Sequence, residues 1–179
     1  MEVDDPLVPV DQPRYSTQNF PIYRFIPGQT PHPRRHPRGH TFRLPEPRPL
    51  PFKHDEWAAS EDYLHAVDLY NFAYWWESHE VFEGLWHACG HKTVAGNFFQ
   101  ALIQFAGANL KQALGNEAAA KNLARSGLLR LQHTPDHYMG IDTATFAEDV
   151  TLWMHNNGRS WVRIRLEDCG NAHSASKGP

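Results

Sequence analysis

The sequence has few cysteines and no long apolar run, and these absences exclude several classes of protein. Cys89 and Cys169 are its two cysteines, and without a Cys-x-x-Cys pair they do not predict a disulfide scaffold or a zinc ribbon. No apolar run approaches the roughly 20 residues that a membrane-spanning helix needs. The first residues lack the basic start and apolar core of a secretion signal, so we expect a cytoplasmic protein without a membrane partner. A glycine-rich phosphate loop, a Rossmann fingerprint and a serine nucleophile elbow are also absent.

Proline is scarce beyond residue 51 and abundant before it, since 12 of the 14 prolines lie in the first 51 residues. Charge follows the same division, with a net +7 over residues 13–53 and −6 over residues 54–179. Proline at this density prevents helices and interrupts strand pairing, so an extended basic arm is predicted. Its apolar run NFPIYRFIPG predicts that the arm docks on the rest of the chain. The predicted organisation is an arm over residues 1–53, a helical body over 54–158 and an irregular or short-strand tail over 159–179.

Beyond the arm, apolar residues recur with the period of α-helices. Helices are predicted over about 60–73, 76–88, 94–114, 116–133 and 143–155. The third is apolar over about half its circumference and must therefore be covered by several neighbours. The predicted fold class is all-α, a compact bundle of about five helices.

The second predicted helix carries the candidate site. Its outward face is predicted to hold two carboxylates, two imidazoles and two indoles, from Trp76, His79, Glu80, Glu83, Trp86 and His87. Carboxylate and imidazole one helical turn apart can share a divalent ion, so we predict His79, Glu83 and His87 as metal ligands.

The same groups can act as an acid and a base. In that version Glu80 or Glu83 is the catalytic base, and Glu83 orients His79. Trp76 and Trp86, with Gln100 and Gln104 of the third helix, are predicted to contact a small polar ligand. An enzyme would be of a hydrolase or metal-assisted type, and a divalent metal is the cofactor that the pattern suggests.

The polar cluster and the basic arm each have alternative interpretations. Charged residues opposite an apolar stripe are typical of any surface helix, so the cluster can also be structural, in a non-catalytic interaction module that self-associates. The pattern His-Glu-x-x-Glu is not the His-Glu-x-x-His of zinc proteases. His32, His36 and His40, with the arginines among them, favour pairing of the arm with the acidic body, and nucleic-acid contact is the weaker alternative.

The segments YNFAYWWESHEVFEGLW and NFFQALIQFAGANLKQALGN, with the Ala/Leu-rich helix after them, resemble domain-of-unknown-function family 309. These are small helical proteins, mostly bacterial and archaeal, and one branch has an extension similar to YRFIPGQTPHPRRHPRGH. The family pattern falls on Glu77, His79, Glu80, Glu83, Trp86, Gln100, Gln104, Gly115 and Asn116. Ala73 stands where the family often has glycine at a corner, and Ala101 replaces another glycine. The resemblance implies an all-α bundle with a partly buried polar cluster, and it implies no activity.

Overall fold

In the part of the chain that the structure describes, five α-helices surround one apolar core, and an extended arm precedes them. The computed structural model describes residues 12–46, 48–156 and 161–167. A 3₁₀ helix over His54–Ala59 is followed by α1 (Glu61–Asn71), α2 (Trp75–Cys89), α3 (Val94–Ala113), α4 (Glu117–Leu131) and α5 (Thr143–His155). Between α4 and α5, β1 (His137–Tyr138) pairs antiparallel with β2 (Ile141–Asp142). The prediction of an all-α bundle of about five helices is confirmed.

The helices begin at the predicted places because their caps are local features of the sequence. Four side chains accept a hydrogen bond from the backbone N–H three residues on: Ser60, Thr93, Asn116 and Asp142. Such caps satisfy donors that the first helical turn leaves unpaired. None of the described helices combines the length and apolarity that crossing a membrane would require.

The third helix is central, as its apolar circumference requires. It packs against both α2 and α4, and its Phe98, Phe99 and Leu102 are fully buried. Gly127 of α4 faces the ring of Phe105, and a Cβ there would collide with that ring. The close contact between α3 and α4 therefore depends on a residue without a side chain.

A sharp corner separates α1 from α2. Ala73 has a φ of 64°, a left-handed conformation that favours glycine, and its side chain is buried. The Tyr74 N–H donates to Leu69 O at 2.8 Å and closes the corner. The family resemblance marks the same position as one where glycine is frequent, and this structure shows why.

The arm begins on α1, where it meets a buried carboxylate. Asp68 has no exposed surface and accepts hydrogen bonds from the backbone N–H groups of Tyr15 and Ser16 at 2.8 and 2.9 Å. The Ser16 hydroxyl also donates to Asp68 at 2.7 Å, and Arg14 Nε lies 3.1 Å from it. Phe20 then packs against the ring of Tyr74 at the corner.

The described part of the tail also contacts α1. The contact is made by the side-chain amide of Asn71, and the tail does not pair as a strand within the described residues. Asn71 donates to the carbonyl of Ile164 at 2.7 Å and accepts from its N–H at 2.8 Å. The N–H of Glu167 donates to Gly140 O at 2.7 Å. The remainder of the predicted tail, including Cys169, lies outside the described residues.

We predict that Ala73→Val lowers the free energy of unfolding by about 2 kcal/mol, because a β-branched side chain is strained at positive φ. Ala73→Gly should change it by less than about 1 kcal/mol, since relief of strain and greater freedom of the unfolded chain oppose each other. Urea denaturation of both variants measures the difference. Equal stabilities would show that the corner is not strained.

We also predict that Asp68→Asn lowers the free energy of unfolding by about 3 kcal/mol. The asparagine NH₂ group would replace one acceptor oxygen and face the N–H and O–H groups that now donate to Asp68. Trypsin should then cut after Arg14 and Arg24 faster than in the parent chain. Asp149→Asn, on the exposed face of α5, is the matched control and should change neither measurement. An Asp68 variant as stable and as resistant as the control would contradict the anchoring role.

Candidate functional site

The arm covers the beginning of the outward face of α2, where Glu77 is buried. One carboxylate oxygen of Glu77, Oε1, accepts the N–H of Phe25 at 2.8 Å and lies 3.0 Å from His40 Nε2. The other, Oε2, is buried and has no hydrogen-bond partner among the described residues. Burial raises the pKa of Glu77, and the hydrogen bonds from His40 and the backbone oppose that rise only in part.

One turn further, Glu80 binds an arginine of the arm. Arg34 Nε lies 2.8 Å from Glu80 Oε2, and both side chains are about one-fifth exposed, at 22%. Burial alone would raise the pKa of Glu80, but His79 and Arg34 outweigh it and hold the pKa below its usual value. Glu80 is therefore an ionised carboxylate near neutral pH, with its second oxygen turned away from Arg34.

That second oxygen belongs to a compact group of possible ligands. One nitrogen of His79 and one oxygen each of Glu80 and Glu83 all lie within 4.8 Å of one another. His79 Nδ1 is 3.6 Å from Glu80 Oε1, too long for a hydrogen bond, and this buried atom has no hydrogen-bond partner in the described chain. We call His79, Glu80 and Glu83 the α2 triad. All three side chains are half-buried.

The α2 triad has the donor set of a transition-metal site. Zn²⁺ takes imidazole nitrogen and carboxylate oxygen at about 2.0–2.2 Å, which in a tetrahedral site puts the ligand atoms roughly 3.3–3.6 Å from one another. The observed separations of up to 4.8 Å would have to shorten by side-chain rotation to reach that range. The helical spacing i, i+1 and i+4 brings these groups together within little more than one turn.

The two tryptophans of this face are covered by other aromatic rings. Trp76 contacts the rings of Phe25 and His32 of the arm, each at 5.5 Å between centroids. Trp86 stacks on His91 at 3.8 Å. These contacts explain why indoles occur on a face that is otherwise polar.

His87, the third predicted metal ligand, contacts His91. Its Nδ1 is 2.8 Å from His91 Nε2, just beyond the end of α2. The structure thus brings together two of the predicted ligands, His79 and Glu83, and places Glu80 beside them. The sequence could not place His91, because its position depends on the turn after Gly90.

Gln100 and Gln104 are half-buried on α3. Within the described ranges, no hydrogen bond joins either amide to the face of α2. Two large surface cavities, of about 590 and 740 Å³, lie elsewhere, along α5. The roles of the glutamines and tryptophans toward a small polar ligand therefore stay predictions.

Sequence reasoning missed the groups that hold the arm. Glu77 stood at the border between the two faces of the predicted helix, and its place in the family pattern was the available signal. Asp68 gave no signal, since its partners lie 52 to 54 residues earlier.

Ser16 and His65 also meet at Asp68, but Ser16 Oγ donates to the carboxylate and is 3.5 Å from the imidazole. A serine nucleophile needs the imidazole as its base, so this group is an anchor.

Comparison with known proteins supports the family and leaves the activity open. A family model described as "Domain of unknown function (DUF309)" matches residues 63–123, about a third of the chain, which run from α1 into α4 and include the α2 triad. The search of curated proteins gave no significant match. Residues 63–123 are thus similar to the DUF309 family, as the sequence motifs indicate.

Proposed function

We propose that this chain is a cytoplasmic bacterial protein that binds a divalent transition-metal ion at the α2 triad. The observation that carries the proposal is the convergence of one imidazole and two carboxylates within 4.8 Å, with His79 Nδ1 buried and without a hydrogen-bond partner among the described residues. Polar atoms buried in proteins are normally hydrogen-bonded, so a nitrogen that lies near two carboxylates without a hydrogen bond of normal length favours a bound cation.

Charge supports the same function. Metal ligands must be deprotonated, and the lowered pKa of Glu80 keeps its carboxylate ionised. Arg34 neutralises one carboxylate of the triad, and no described cation is paired with Glu83. The triad thus retains negative charge that a divalent ion would balance.

Three protein ligands leave coordination positions open for water or substrate. A metal ion there would lower the pKa of a bound water and supply a nucleophile, as in metal-assisted hydrolysis. The oxygen of Glu83 that does not bind the ion would then accept the proton, since Glu80 Oε2 is held by Arg34. A small polar ligand would reach the protein through these open positions, because the two large cavities lie along α5.

We predict that His79→Ala and Glu83→Gln each weaken Zn²⁺ binding by at least about tenfold, since each removes a ligand. The measurement is calorimetric titration with ZnCl₂ of EDTA-treated protein that has no His tag. His133→Ala removes an exposed imidazole beyond α4 and should leave the affinity unchanged.

His87 and His91 require their own control, because paired imidazoles also bind Zn²⁺. The double variant His87→Ala/His91→Ala should retain the tightest site. Loss of that site in the double variant but not in His79→Ala would transfer metal binding to the end of α2. Absence of any site stronger than that of an unrelated histidine-containing protein would reject the proposal altogether.

The second candidate is a non-catalytic module in which the face of α2 holds the arm. The contacts of Glu77 with His40 and Phe25, and of Glu80 with Arg34, favour it. The same anchors fit the arm of a second copy of the chain, which would make the module self-associating. This candidate requires the acids of α2 to stabilise the protein without any ion.

The raised pKa of Glu77 gives this candidate a pH test. The folded state binds the Glu77 proton more tightly than the unfolded chain does. Stability therefore falls as pH rises from the unfolded value of about 4.3 through the folded value. Glu77→Gln mimics the protonated form, so its stability relative to the parent chain should rise across that window.

Glu77→Ala is the matched variant, because it loses both hydrogen bonds and should be less stable than Glu77→Gln by about 2 kcal/mol at every pH. Urea denaturation between pH 4.5 and 8 in the presence of EDTA measures all three proteins. A Glu77→Gln variant that loses stability against the parent as pH rises would show that the ionised carboxylate is the form that holds the arm.

A further inference from the structure

Most arginines of the arm are not used to hold it on the body. Arg14 pairs with Asp68, and Arg34 pairs with Glu80. Four others are exposed and form no ion pair with any described carboxylate: Arg35, Arg38, Arg43 and Arg48. We call these four the arginine surface. Its charge is in excess of what docking needs.

Two members of the arginine surface, Arg35 and Arg38, are displayed by an ordered turn. The N–H of Thr41 donates to Pro33 O at 3.2 Å and closes a loop that contains Arg35 and Arg38. Inside the loop the N–H groups of His36 and Gly39 are also bonded, and a Cβ at Gly39 would collide with the Pro33 carbonyl. Arg35 and Arg38 are therefore carried by a compact backbone, which lowers the entropy lost when a partner binds.

The turn itself is fixed to α2 at two points. Arg34 binds Glu80 on one side, and His40 binds Glu77 on the other. Arg43, just beyond, has a φ of 61°, a conformation that strains a residue other than glycine. Its guanidinium lies 5.1 Å from the centroid of the half-buried Phe42 ring.

The acids of the body beneath the arm do not cancel this charge. Asp68, Glu77 and Glu80 are each occupied by a group from the arm. Exposed carboxylates more than a Debye length away, about 8 Å at physiological salt, are largely screened. The arginine surface thus carries four positive charges without an ion-pair partner in the described chain, although the whole chain carries a net charge of −3.

We propose that the arginine surface binds single-stranded nucleic acid through its phosphates. Guanidinium groups form paired hydrogen bonds with phosphate oxygens, and an arginine over an aromatic ring resembles the platforms on which unpaired bases stack. The turn contains no helix or strand that would fill the major groove of a duplex. This surface lies outside the α2 triad, so the proposal does not depend on metal binding.

The experiment measures fluorescence anisotropy of a labelled 20-nucleotide oligo(dT) with the full chain, from 50 to 200 mM NaCl, in EDTA. The parent should bind with a logarithmic salt slope of about −2 to −3, as expected for three or four phosphate contacts to a single strand. Arg35→Gln/Arg38→Gln should reduce the magnitude of the slope by about 1.4 and the affinity roughly tenfold. Arg43→Gln/Arg48→Gln should act similarly.

The matched control is Arg125→Gln/Arg130→Gln, which removes two exposed arginines from α4 and should leave binding unchanged. Because the four arginines of the surface hold no ion pair in the described chain, both test variants should unfold at the parent's temperature. Equal losses in test and control variants, or no binding at 50 mM NaCl, would overturn the proposal. So would tighter binding of the matching duplex, or competition by polyglutamate as strong, per charge, as that by the oligonucleotide.

Discussion

A carboxylate with no exposed surface is stable only where hydrogen bonds and cations replace the water it has lost. Asp68 is in this position on α1, and every partner that satisfies it comes from residues 14–16. The helical body alone would leave this acid buried and unpaired, or would have to open to hydrate it. The need of one side chain therefore ties the arm to the bundle, and the course of the arm across α2 follows from that starting point.

The same rule acts twice more along the arm. Glu77 is covered by Phe25 and His40, and Glu80 is paired with Arg34. Each of these contacts replaces water on an acid of the body with a donor of the arm. The division of charge between arm and body is thus partly a matter of docking. Docking does not account for all of the charge on the arm, since four exposed arginines form no ion pair with the described acids of the body.

Features determined by neighbouring residues could be read from the sequence. Helix boundaries depend on a few adjacent positions, among them the caps at Ser60 and Asp142, and the helices lie close to where the pattern indicated. The corner at Ala73 was marked by the family resemblance and not by periodicity. Part of the α2 triad could be predicted for the same reason, because helical periodicity alone brings His79 near Glu83. Contacts between arm and body depend on the register of an irregular chain against a helix 37 to 54 residues away, and no local pattern specifies that register.

Helical periodicity could not determine which residue joins His79 and Glu83, because the prediction named His87 and the structure places Glu80 there. A helical wheel treats both residues as neighbours of Glu83, and only the surroundings distinguish them. Arg34, from the arm, holds one oxygen of Glu80 and turns the other toward His79, whereas the turn after α2 supplies His91 to His87. Under the proposed function, an ion in the triad and Arg34 would share one carboxylate. The cation of the arm would then fix the geometry of Glu80 while reducing the negative charge that attracts the ion. Opposed effects of this kind make the strength of the site depend on where the arm lies, and that dependence is absent from the sequence of α2 itself.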